Sequence, residues 1–250
     1  MNKTKSIVIM MALAGMFVSC QNSQQPKQET ATTIGDSVTI SKTLTPCNVT
    51  VGSVTFDYSR LGADTLTFVN EDASMTIYCP EGLDMFCDPN EGKLTNNALP
   101  LLLKEIDNTK PFTFIAKVTP EFTEEGLYNA ADLIVYANDT LWQKFCFEQD
   151  EYGKHRMVTV RTQGTSDDNN HDMVSSNSVY MKISSDTHTI ASYYSLDKKQ
   201  WHMVRLYKNY YPRTIYVGVA SQCPVKGQCT STFEEISLDT NNVSDFRMGE

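Results

Sequence analysis

The 250-residue sequence is short of positive charge and of histidine. It carries 21 Lys and Arg against 30 Asp and Glu, a formal net charge of −9, with only four His. No basic run interrupts this acidic balance. Affinity for nucleic acid comes largely from Lys and Arg on phosphates, so nucleic acid is not an expected partner. His155, His171, His188 and His202 form no HExxH or other paired spacing, which leaves no common zinc signature. A GxSxG elbow, a phosphate-binding Gly-rich loop, a dinucleotide fingerprint and a CxxC pair are also missing. Serine-hydrolase, nucleotide-dependent and thioredoxin-like chemistry lose their usual motifs with them. No apolar run reaches the ~20 residues a membrane-spanning helix needs. No long stretch keeps a helical period, and no self-similarity recurs at about 20–50 residues, so bundles, propellers and solenoids are not expected.

What the chain does have is sheet-forming material. Twelve Tyr, eleven Phe and two Trp accompany many Thr and Val, and 40% of the residues are hydrophobic, enough to bury a core. About a dozen short strand-like runs, between 49–58 and 232–238, are separated by turn signals with no helix between them. That pattern predicts an all-β sandwich or barrel in a single domain, 37–250. The most helix-like segment, 98–106 (ALPLLLKEI), is broken by Pro100 and predicts one short helix or turn at best.

The N-terminus has its own grammar. Lys3 and Lys5 precede an uncharged, mostly apolar run, Ser6 to Val18, that ends at Ser19-Cys20. A basic start, a short apolar middle and a small residue before the cut describe a secretory signal, 1–19. With cysteine directly after that small residue, Phe17-Val18-Ser19-Cys20 resembles the lipobox of a bacterial lipoprotein, although Phe17 departs from the usual Leu. The resemblance implies lipidation of Cys20 and a membrane-anchored protein of the cell envelope, periplasmic or surface-exposed. The polar, Pro-containing stretch 20–36 then predicts a flexible tether.

Six further cysteines stand at 47, 79, 87, 146, 223 and 229 in this export-permissive context. Six allow fifteen complete pairings, so spacing alone does not fix connectivity. Cys79 and Cys87 flank Pro80 and Gly82, and Cys223 and Cys229 flank Pro224 and Gly227, so each pair is a candidate disulfide-closed loop. Cys146 lies in an aromatic strand, where a buried thiol is equally reasonable.

A set of ordered motifs adds a family resemblance. Leu83-Asp84-Met85-Phe86-Cys87-Asp88-Pro89 is followed by Pro111 to Val118 (PFTFIAKV) and by Leu141 to Glu148 (LWQKFCFE). Ser166-Asp167, Tyr193 to Asp197 (YYSLD) with Trp201 and Arg205, Gly218 to Ser221 (GVAS) and Phe233 to Ile236 (FEEI) complete the order. From about 68 to 238 the chain resembles the family of domain of unknown function 1349. Asp132, where the family usually has Gly, and Leu196 depart from its pattern. The resemblance implies a concanavalin A-like, jelly-roll antiparallel β-sandwich with one concave sheet face, and no established activity.

Side chains alternate across a strand, so parity assigns faces. In 141–148, Leu141, Gln143, Phe145 and Phe147 make the better core face, leaving Trp142, Lys144 and Glu148 opposite. Val158 and Val160 alternate with Arg161, and Val179, Met181 and Ile183 alternate with Tyr180 and Lys182. If the strands are neighbours, Trp142, Lys144, Glu148, Arg161, Tyr180 and Lys182 converge on one surface, with Trp201 and Arg205 joining from the later hairpin. A flat aromatic beside charged hydrogen-bonding groups suits a sugar. A solvated sheet face with an internal Lys–Glu pair fits the same pattern.

Catalytic signals are thin. Glu148 and Asp150 share a strand face roughly 6.5–7 Å apart by strand rise, whereas a retaining glycosidase pair wants ~5–5.5 Å. Asp167, Asp168 and Asp172, within 167–172 (DDNNHD), are candidate Ca²⁺ ligands, but Met173 stands where an EF-hand-like loop needs Gly. The sequence therefore favours a lipid-anchored, non-catalytic protein with no cofactor, binding a carbohydrate or glycan on a concave sheet face. A structural or interaction subunit of an envelope complex, with an unspecified protein partner, comes second. A concanavalin A-like glycoside hydrolase comes third.

Overall fold

The computed structural model describes residues 44–250. The signal 1–19, the lipidation candidate Cys20 and the tether 20–36 lie outside the described residues. Wherever apolar and polar residues alternate, the chain pleats, because β-branched and aromatic side chains fit a half-buried pleated surface. Seventeen strands result, numbered here in chain order, and a 3-10 turn at Ala63–Leu66 is the sole helical element among the described residues.

Two antiparallel sheets stack. The larger runs β1 (Leu44–Val51), β2 (Val54–Arg60), β7 (Leu101–Asp107), β16 (Thr214–Gln222), β9 (Ala130–Asn138), β10 (Leu141–Gln149), β11 (His155–Gln163) and β12 (Thr165–Met173). The smaller runs β15 (His202–Lys208), β14 (Thr189–Ser195), β13 (Val179–Ser185), β8 (Phe112–Pro120), β17 (Gln228–Asp239), β4 (Met75–Pro80) and β3 (Thr67–Val69). A separate two-stranded ribbon pairs β5 (Met85–Phe86) with β6 (Asn96–Asn97). The fold is the antiparallel sandwich that the sequence predicts.

The core between the layers is the expected one. Phe145 and Phe147 of β10, Leu133 and Val135 of β9 and Val217 and Val219 of β16 meet Phe112, Phe114, Met181 and Ile183 of the smaller sheet. The larger sheet, however, is apolar on its outer face too. Trp142, Cys146, Ile134, Tyr136, Val158 and Val160 form a second cluster with Leu101, Leu103, Leu99 and Met85. A central strand buried on both faces reads as a nearly continuous apolar run, as in β9 (AADLIVYAN).

Three expectations need correcting. The segment 98–106 supplies β7, an interior strand of the larger sheet, and no helix. Its neighbour β16 approaches so closely that a Cβ on Gly218 would lie 2.2 Å from the Leu102 carbonyl oxygen, so only glycine fits. The Asp/Asn-rich run 167–172 lies in edge strand β12, whose alternation turns successive acids to opposite faces and disperses the candidate calcium ligands. Among the described residues no three His, Cys, Asp or Glu side chains are grouped to hold a metal.

The sequence-local cysteine pairings are also absent: Cys79, Cys87, Cys223 and Cys229 are all free thiols. Cys79 faces Cys229 across the β4–β17 ladder, with Cys223 in the same small cluster. Cys87 follows β5 onto the outer face of the other sheet and packs with the Trp142 cluster, which separates it from Cys79. Cys146 is buried.

Candidate functional site

The outer face of the larger sheet changes character along β10. At the Trp142 end it is roofed by the β5–β6 ribbon. Arg60, 1% exposed, fixes this roof: its guanidinium donates to the carbonyl oxygens of Leu99 at 2.6 Å and Asn97 at 3.0 Å, and to Asn97 Oδ1 at 2.7 Å. Asp139 Oδ1 accepts from the same guanidinium at 3.1 Å. Trp142 is fully buried beneath, its indole N–H donating to the Asp139 carbonyl at 3.3 Å.

Beyond the roof, from Lys144 to Glu148, the face opens into a pocket of about 430 Å³. Its floor comes from alternate residues of β10 and β11, Lys144 and Glu148 beside Val158 and Val160. Asp84 and Phe86 wall it from the ribbon, Asp168 and Asn170 from β12, and Tyr128 and Val225 from loops. The Tyr128 backbone is in the left-handed region (φ 62°), unusual for a bulky residue.

One chain of hydrogen bonds organises the polar floor. Lys144 Nζ donates to Asp84 Oδ1 at 2.5 Å and to Gln222 Oε1 at 2.7 Å. Gln222 Nε2 donates in turn to Glu148 Oε2 at 3.2 Å and to the Tyr128 carbonyl at 2.7 Å. Burial alone would pull the Lys144 ammonium down, but Asp84 and the nearby Asp132 hold it above its ordinary value, so it stays charged. Burial pushes the Glu148 carboxyl well above the usual range, only partly opposed by Lys144. Asp132, opposite Cys146 on β9, has no exposure, and neither of its oxygens has a hydrogen-bond partner. Burial raises it to about 7 against the pull of the Lys144 charge.

Of the eight residues read as a ligand surface, only Lys144 and Glu148 line this pocket. Trp142 lies on the predicted face, opposite Phe145 and Phe147, but under the roof instead of in an open groove. Arg161 points the other way. It stands opposite Gln143 in the β10–β11 register and stacks on Tyr207 at 4.8 Å. Val158 and Val160 have their apolar partners on the outer face, with Trp142 and Cys146, which reverses the expected parity of β11. Arg205 crosses from β15 to Thr159 Oγ1 at 3.1 Å and Asp167 Oδ2 at 2.6 Å, closing the sandwich edge.

Tyr180, Lys182 and Trp201 belong to the smaller sheet's outer face, remote from the pocket. Tyr180 bonds Glu235 at 2.7 Å, and the Lys182 ammonium, 3.5 Å from the Trp201 ring centre, donates to the Gly249 carbonyl. The proposed carboxylate pair dissolves as well. Asp150 accepts from the backbone N–H groups of Tyr152 and Lys154 and pairs with Arg156 at 2.8 Å, so it holds a turn. Asp167 pairs with Arg205, Asp172 accepts from Tyr194 at 2.9 Å, and only Asp168 of the three candidate metal ligands reaches the pocket. Gln222 and Tyr128 carry no sequence signal because a distant strand and a loop deliver them, whereas Asn170 lies in the run 167–172 read for calcium. Asp84 and Phe86 lie in the Leu83 to Pro89 motif, to which the sequence assigns no role.

Comparison with known proteins locates the fold. A family described as protein of unknown function (DUF1349) matches residues 64–241. A functionally unknown protein from Saccharomyces cerevisiae is 24% identical, with TM-score 0.63 over 70% of this chain and 91% of that one. The Bacteroides ovatus protein named xyloglucan PUL GH43B is 14% identical, with TM-score 0.57 over 78% of this chain and 39% of that one. The xylan β-1,4-xylosidase of Bacillus halodurans C-125 is 14% identical, with TM-score 0.50 over 67% of this chain and 33% of that one. The chain thus spans well under half the length of those two proteins. At these identities the likeness concerns the fold. No curated protein matches the chain.

Proposed function

From the premise that the chain belongs to the DUF1349 family of proteins of unknown function, we propose that it binds a carbohydrate in the pocket beside Lys144 and Glu148. One observation carries this reading: an opening of about 430 Å³ on the outer face of the larger sheet, walled by mixed polar and apolar groups. Sugars present hydroxyls around an apolar ring face, and they need both kinds of partner at once. Asp168 and Asn170 supply hydrogen-bonding groups at the mouth, while Phe86, Tyr128 and Val160 supply apolar surface. Xylan and xyloglucan figure in the names of the two fold relatives above, which makes oligosaccharides of these polymers the first compounds to try.

The reading is of a binding protein. Glu148, the one buried carboxyl in the pocket, is tied to Gln222, and Asp150 is committed to Arg156. Export and lipidation at Cys20, with an envelope location, complete the proposal. They rest on the leader sequence, and a shift in mobility on replacing Cys20 with Ala in the expressing cell tests them.

Calorimetric titration with a panel of neutral, acidic and amino oligosaccharides tests the binding. At least one should bind, and the double variant Asp168→Ala, Asn170→Ala should weaken it at least tenfold while leaving the unfolding transition in place. Titrations flat for every member of the panel would sink the reading.

A further inference from the structure

The charges around the pocket do not balance. Asp84, Glu148, Glu151 and Asp168 line it, with Asp132 buried under the floor, and Lys144 is the one cation in the lining. Lys144 is already spent: its ammonium sits between Asp84 Oδ1 and Gln222 Oε1. The nearby guanidinium groups are spent too, Arg156 on Asp150 at 2.8 Å and Arg205 on Asp167 at 2.6 Å. Glu148 is 8% exposed, and its single hydrogen bond comes from Gln222, on Oε2. Its second oxygen receives no donor from the protein. A buried carboxyl with an open acceptor facing a cavity is normally satisfied by something that enters the cavity.

We infer that the pocket selects a saccharide bearing a protonated amine, an amino sugar, over neutral and anionic sugars. This rests on the carbohydrate reading and narrows it. A uronate or sulfated sugar would place its charge beside the carboxylates of Glu151 and Asp168, with no free cation in the lining to receive it. A divalent metal needs six or more oxygens drawn in tightly, and the described residues provide no such group. An ammonium is less demanding. One charged oxygen, from Asp168 or from Glu148 once the arriving cation displaces the proton that burial favours there, and one neutral acceptor, from the amide of Asn170, satisfy a charge-assisted site. Apolar surface at Phe86, Val160 and Val225 remains for the sugar ring.

The test compares three tetrasaccharides by calorimetry at about pH 6, below the ~7.7 of an α-amino group, whose nitrogen, like that of a 2-amino sugar, sits beside electron-withdrawing substituents. They are a glucosamine tetramer, its fully N-acetylated counterpart and a galacturonic acid tetramer. The glucosamine tetramer should bind at least tenfold tighter than the acetylated one, and the uronate should give no heat. Glu148→Gln should erase the tenfold preference while keeping residual binding. Asp168→Asn, on an exposed wall position where folding is not at stake, should reduce the preference by itself. Equal affinity for the free and acetylated tetramers, or a preference that survives both substitutions, would overturn the charge selection and leave the carbohydrate reading intact. Failure of all three tetramers, and of the neutral oligosaccharides above, would overturn both.

Discussion

Trp142 and Asp132 occupy the same sheet face, a few residues from the pocket, and their burial has opposite consequences. Trp142 is wholly enclosed by apolar neighbours under the ribbon. Trp142→Ala should therefore act on stability, costing about 3–5 kcal/mol as large-to-small core changes do, measured by urea unfolding. Asp132 instead opposes folding when ionised. Its carboxyl sits near 7 in the folded protein against 3.8 in an open chain, and Glu148 is raised in the same direction. The folded state then holds more protons than the unfolded state between those values. Stability is greatest on the acid side and falls as pH rises toward 7, with a slope from one such proton of at most ~1.4 kcal/mol per pH unit. Unfolding curves at several values between about pH 5 and 8 should show this decline. Asp132→Asn should flatten it and stabilise the protein at the alkaline end. Parity made the face of Trp142 readable from residues alone. Its roof was not, because Arg60 and Leu99, far off in sequence, build it.

At the scale of elements, the ribbon of β5 and β6 decides how much of the outer face is open. It is only two residues wide on each side, and a two-stranded ribbon has little stability of its own. Arg60 supplies the missing support through its bonds to the Leu99 and Asn97 backbone. Arg60→Ala should leave those carbonyls unpaired and loosen the roof. The backbone amides of Ala98 and Leu99, now bonded to the Asp84 carbonyl, should exchange with solvent at least tenfold faster while amides of β8 keep their protection. Most strands were legible, since period-two alternation needs only local sequence. Two elements were not. The run 98–106 looked helical because β7 is apolar on both sides, and β12 looked like a loop because an edge strand can be almost wholly polar. The candidate site suffered from the same ambiguity: Arg161 was placed by assuming one apolar face per strand, and this sheet has two.

The whole molecule sets the fate of its thiols. Cys79, Cys146, Cys223 and Cys229 are buried, whereas Cys47 and Cys87 are half-buried. An aromatic disulfide reagent should therefore titrate Cys47 and Cys87 first and reach the other four only on unfolding, a stepwise pattern read by mass spectrometry of labelled peptides. Immediate labelling of Cys223 would contradict the packing of its cluster. The overall sandwich could be read from the sequence because strand count and turn spacing survive without tertiary knowledge. The stacking order of the sheets could not, and it is what sends Tyr180, Lys182 and Trp201 to the far side.

Among the described residues the larger sheet ends at β12, Thr-Ser-Asp-Asp-Asn-Asn-His-Asp-Met, where the ladder of amides and carbonyls stops with no further strand beside it. A row of like charges is a poor template for a second chain to zip onto. Had that border been greasy, each molecule would offer its neighbours a seam, and fibres would compete with solution. The acids here work as a selvedge that keeps the weave from continuing into the next copy.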